Sequence, residues 1–169
     1  QFRWTTAFPN SASNPNVWVT YGWMIDDVKI IKKPNNDLTI QNHQFKATPS
    51  AGWTKRLHYY QIPKSQISPI SFSSEVVNNG VLDQLGTTLT VDVTGSSSYN
   101  GVSTPTTILT YNTDSLFVNT QFIPNANLGD CNIVYSVNSD SLDANPSDNS
   151  VSEKIIITED IYARDMDSI

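Results

Sequence analysis

Apolar and polar residues alternate with a period of two along most of this chain, and no stretch of eleven or more carries a helical stripe. In ISFSSEVV (70–77), Ile70, Phe72, Ser74 and Val76 share one face and Ser71, Ser73, Glu75 and Val77 the other. TLTVDV (88–93) turns Leu89, Val91 and Val93 inward, and CNIVYSVNS (131–139) does the same with Cys131, Ile133, Tyr135 and Val137. DLTIQNHQF (37–45) sets Leu38 and Ile40 on one face. LHYYQI (57–62), SLFVNTQFI (115–123) and VSEKIIIT (151–158) complete the pattern, and STPTTILTY (103–111) holds Pro105, which suits an edge strand. Asn78-Asn79-Gly80 and Asn127 to Asp130 read as turns, the first able to take positive φ, and Gly95 to Gly101 as a Ser-rich tip. About seven strands across 37–158, with short Gly/Asn/Pro connections, predict an all-β, Ig-like antiparallel β-sandwich.

Upstream, QFRWT (1–5) and VWVTYGWMIDDVKII (17–31) are two further strand patterns separated by a Pro/Asn loop. Two strands alone cannot bury a face, so residues 1–32 read as the end of another, incomplete domain. Lys33-Pro34-Asn35-Asn36 reads as the linker (33–36) and 37–158 as the sandwich. EDIYARDMDSI (159–169) reads as the start of a further element or tail, and the whole as a slice of a longer chain.

Composition sharpens the class. There are 20 Ser, 17 Thr and 17 Asn in 169 residues, with only 15% charged. Ser and Asn compete with a helical backbone for hydrogen bonds, and Thr is β-branched, so the mixture favours strands and turns. Strands with Ser/Thr outward are common in extracellular modules. A net charge of −6 without a basic stripe argues against nucleic-acid binding. No run of 18 apolar residues offers a membrane span.

Chemistry is sparse. Only His43 and His58 could serve as a base, and neither accompanies a Gly-x-Ser-x-Gly elbow. Cys131 lies on an apolar strand face and reads as a buried small hydrophobe. The chain therefore reads as non-enzymatic, with no catalytic residues. The loop containing Asp140, Asp143, Asn145, Asp148 and Asn149 gathers oxygen donors of the kind Ca²⁺ prefers, without the order of an EF-hand. Asp140, Asp143 and Asp148 are candidate calcium ligands; a solvated turn built on Asx hydrogen bonds and Pro146 is the simpler account. Trp4, Trp18 and Trp23, with Trp53, Tyr59 and Tyr60, could dock a neighbouring domain or stack on sugars.

The segment YGWMIDDVKI (21–30) resembles the last strand of cleaved-adhesin or choice-of-anchor (MAM-like) jelly rolls from secreted Bacteroidota proteins, through Trp23, Ile25, Asp26, Asp27 and Val28. SFSSEVVNNG (71–80), the turn Asn127 to Asp130 and the loop closing on Pro146-Ser147-Asp148-Asn149 resemble the CARDB-type sandwiches that follow such jelly rolls. The loop lengths exceed the family norm. This resemblance implies either a structural Ca²⁺ on Asp26 or Asp27 or a buried carboxylate there satisfied by backbone N–H groups, no required cofactor, and export by the type IX route to the cell surface or medium. It further implies a spacer or adhesion-type interaction module whose partners are neighbouring domains, another protein chain or a surface glycan. The alternative is a substrate- or carbohydrate-binding accessory module of an exported hydrolase.

Overall fold

The computed structural model describes residues 32–47 and 59–163, without the side chains of 46 and 47. Among these residues nine strands follow in order: β1 (Leu38–Ala47), β2 (Gln61–Pro63), β3 (Ile70–Asn78), β4 (Gln84–Gly95), β5 (Tyr99–Val102), β6 (Thr106–Ile108), β7 (Thr113–Phe117), β8 (Gly129–Asn138) and β9 (Ser150–Thr158). Helix among the described residues is confined to two 3-10 turns, Lys64–Gln66 and Pro146–Asp148. One sheet has the order β1-β3-β7; the larger one runs β2-β9-β8-β4-β5, with β6 also paired to β4. The all-β sandwich expected from the alternation is present.

The inward faces are those the alternation selects. Ile70, Phe72, Ser74 and Val76 are buried from β3, Leu89, Val91 and Val93 from β4, and Cys131, Ile133, Tyr135 and Val137 from β8. Phe72 lies at the centre, its ring 5.8 Å from Tyr135 edge-on and 6.1 Å from Phe122. Each buried large side chain of this kind contributes about 1.5–3 kcal/mol over exposure.

Four local expectations change. The Ser-rich tip is shorter than expected: Tyr99 to Val102 pair with β4, because the Tyr99 ring packs on Phe72 and Phe122 while its hydroxyl donates to Thr120 O at 2.8 Å. Residues 103–111 hold only the three-residue β6, which starts after Pro105 where the backbone regains its donors. Likewise, 115–123 does not run straight; β7 ends at Phe117, and Phe122 bridges separately to Ile70. Finally, β2 runs parallel to β9, so the sandwich is not wholly antiparallel.

A β-bulge in β1 resolves a parity conflict that the sequence contains. Leu38 and Ile40 point inward at even positions, whereas the buried Phe45 sits at an odd one. Gln41 opposes Glu75 and Gln44 opposes Ser73, so Asn42 and His43 together face Ser74 alone. The extra residue shifts the phase by one. Asn42 absorbs the distortion at φ +45°, a left-handed value that Asn tolerates better than most residues.

Candidate functional site

The strand registers define two poles. Leu38–Asn78, Thr88–Asn138 and Ser136–Ser150 pair at one; Ala47–Ile70, Gly95–Cys131 and Gly129–Ile157 pair at the other. The chain joins the sandwich at the first pole, through Lys33 to Asp37. After β9 it reaches the second.

At the first pole the segment Pro34–Thr39 lies in a clasp formed by two loops. Four consecutive carbonyls are occupied: Val81 N–H donates to Pro34 O (3.1 Å), Leu82 to Asn35 O (3.0 Å), Ala144 to Asn36 O (3.0 Å) and Asn79 to Asp37 O (2.8 Å). Leu38 N–H donates to Asp143 Oδ2 at 2.7 Å. The Thr39 hydroxyl donates to Asp148 Oδ2 (3.1 Å) and accepts from Asn79 Nδ2 (2.9 Å), and the buried Gln84 donates to Asn36 Oδ1 (3.0 Å). Of residues 33–36, read from sequence as a linker, Pro34, Asn35 and Asn36 are thus hydrogen-bonded into the fold, and the Lys33 ammonium lies 4.5 Å from the centre of the Tyr111 ring.

Two details explain how the clasp closes. Gly80 gives the space: a Cβ there would stand 2.5 Å from Asn35 O and 3.0 Å from Asp37 N. Its φ is not positive, so close approach and not backbone freedom is what requires glycine. Buried Asn78 braces the turn, donating to Leu82 O and Ile108 O and accepting from Gly80 N–H.

Asp140, Asp143 and Asp148 take separate positions. The Asp140 carboxylate lies against Gly86, which adopts φ +61°. Asp143 accepts from Leu38 N–H with one oxygen and from Asn145 N–H with the other, an Asx turn. Asp148 Oδ2 accepts from Thr39 and from Asn145 Nδ2. Among the described residues, no group of three or more His, Cys, Asp or Glu is arranged to hold a metal ion. Asp37 Oδ1, Asp148 Oδ1 and Asn149 Oδ1 are buried acceptors without a protein donor. Burial first, then the neighbouring Asp143 and Asp148 charges, raise the Asp37 pKa against the opposing pull of Lys33. Cys131 is fully buried, its sulfur 3.1 Å from Ser96 Oγ.

The sequence did not reveal a second polar group between the sheets. The bulge carries His43 inward, where Nε2 meets Glu153 Oε1 at 2.6 Å, and the imidazole lies 5.3 Å from the Tyr135 ring. Glu153 Oε2 and the Tyr135 hydroxyl are buried without hydrogen-bond partners. Burial, reinforced by the Glu153 charge, holds the Tyr135 phenol far above its ordinary pKa. The available signal was the parity switch between Ile40 and Phe45, together with Glu153 sharing the inward parity of Ile155 and Ile157.

At the second pole, residues 159–163 turn back onto the sandwich. Thr158 Oγ1 bonds to the carbonyl and amide of Ile161, and Ala163 pairs with Gln61 on the outer edge of β2. Tyr162 stacks on Tyr59 with ring centroids 4.0 Å apart. Trp4, Trp18, Trp23, Trp53, Asp26, Asp27 and His58 lie outside the described residues.

No family model and no curated protein matches this chain. Among solved structures, the crystal structure of a CARDB domain from a Pyrococcus furiosus protein, described in complex with di-metal ions, is similar. It shares 14% identity over 79% of this chain and 98% of its own, with a TM-score of 0.51. The solution NMR structure of the same domain gives 15% identity, 75% and 99% coverage, and a TM-score of 0.52. The fold is CARDB-like. At these identities the likeness concerns architecture.

Proposed function

We propose that the CARDB-like body is a non-catalytic spacer or interaction module of an exported, surface-associated protein, holding its neighbours at a fixed separation. One observation carries this reading: β1 begins at one pole of the sandwich, β9 ends at the other, and the segments just before β1 and just after β9 are both fastened. Pro34 to Thr39 are held by two loops, and 159–163 by Thr158, Gln61 and the Tyr59–Tyr162 stack. The nine residues of β9 span about 30 Å at ~3.3 Å per residue, which sets the increment of length. Outward faces rich in Ser and Thr rather than Lys and Glu support an extracellular setting.

The test is a distance measurement. Spin labels on Lys33→Cys and Asp160→Cys, with Cys131 left in place because it is fully buried, report the separation of the joints in the 169-residue chain. A single narrow distribution is expected. A broad or multimodal one would show a hinge at a joint and overturn the spacer role.

A further inference from the structure

The geometry points to a mechanical role: the clasp around Pro34–Thr39 is a load-sharing grip that protects β1 when the module is pulled through its two ends. This rests on the in-line placement proposed above. β1 and β9 both run from the first pole to the second, so outward tension applied at Lys33, before β1, and at Asp160, after β9, acts along each strand axis. Ladder hydrogen bonds lie across the strands. Axial tension therefore loads a ladder in shear, all bonds together, whereas tension across the strands would open it one bond at a time.

The two terminal strands are unequally equipped for that load. β9 is flanked on both sides, antiparallel by β8 and parallel by β2. Among the described residues β1 is the edge of a three-stranded sheet, pairs with β3 alone, and has its ladder interrupted by the bulge between Gln41 and Gln44. It is the weak member. The clasp lies immediately upstream, where tension arrives first.

Its eight hydrogen bonds come from the β3–β4 turn (Asn79, Val81, Leu82), the start of β4 (Gln84), and the β8–β9 loop (Asp143, Ala144, Asp148). Force arriving at Lys33 is thereby passed into both sheets before it reaches the bulged ladder. A plain linker would need none of these contacts.

Single-molecule force spectroscopy on the full chain tests this. Handles on Lys33→Cys and Asp160→Cys load the module axially. Handles on Lys33→Cys and Leu142→Cys, the latter 93% exposed, peel the clasp open from one pole. Rupture is rate-governed, and the axial geometry is expected to need about twofold or more the force of the peeling one at equal loading rate. Thr39→Val keeps the side-chain volume and strand preference but removes the hydroxyl shared with Asp148 and Asn79, so the axial force should fall. Asp143→Asn, which retains one acceptor oxygen for the two amide donors, should lower it as well. Equal forces in the two geometries, or an axial force indifferent to both substitutions, would overturn the grip. A narrow label distance with a low axial force would leave the spacer standing and remove only the grip.

Discussion

Replacing Gly80 by Ala adds one methyl group at the closest approach in the clasp. Its carbon would lie 2.5 Å from Asn35 O, 3.0 Å from Asn35 C and 3.0 Å from Asp37 N. All three are backbone atoms, so no side chain can rotate away. Asn35 O and Asp37 O are themselves held by Leu82 and Asn79. To reach ordinary contact the segment must recede by about 1 Å, which takes the Val81–Pro34 and Leu82–Asn35 bonds out of the ~2.7–3.2 Å range. Two weakened hydrogen bonds at about 1 kcal/mol each, with overpacking of order 1 kcal/mol, give a loss of roughly 2–3 kcal/mol. For a body of this size that lowers Tm by about 6–12 °C. The assays are thermal unfolding by circular dichroism and amide hydrogen exchange, in which Val81 and Leu82 should lose protection selectively. A Tm within about 1 °C of the parent, with both amides still protected, would refute the claim that space at Gly80 holds the clasp shut.

Three further outcomes are expected. Asp37→Asn should raise Tm at neutral pH: a carboxyl whose folded pKa lies above its unfolded 3.8 destabilises the fold fully above the folded value, and the penalty disappears as pH falls toward 3.8. The variant's stability should therefore fall less than the parent's as pH rises through that window, and parallel stability–pH curves would contradict this. His43→Phe leaves Glu153, only 12% exposed, without its partner and should cost about 3 kcal/mol in urea unfolding, most of it recovered in the His43→Phe, Glu153→Leu double variant. Additive losses would show that the two residues act independently. Chelation by EDTA should leave Tm unchanged within about 1 °C, because Asp143 and Asp148 Oδ2 are already engaged by N–H and O–H donors; a calcium-dependent rise of several degrees would show a cation among Asp37, Asp148 and Asn149.

Asp143 and Asp148 drew attention in the sequence as oxygen donors near a proline, and the Asx-turn account of that loop describes Asp143 well. That Asp143 would accept from Leu38 and Asp148 from Thr39, 105 and 109 residues away, was not legible. Gly80 was legible as a turn residue for the wrong reason, since its φ is ordinary and the need is for space. Gly101, read as the end of the Ser-rich tip, lies within β5 beside Tyr99 and Val118.

By itself the sequence determined the all-β class, most strand positions and which residues of β3, β4 and β8 face inward. Alternation is a local property, and a two-layer sandwich permits only one apolar face per strand. Only the tertiary structure decided the phase shift in β1, the parallel pairing of β2, the His43–Glu153 pair and the incorporation of 33–36 into the fold. Each depends on a partner supplied by a distant strand or loop. A residue's own neighbours in the chain do not say which backbone group will arrive beside it.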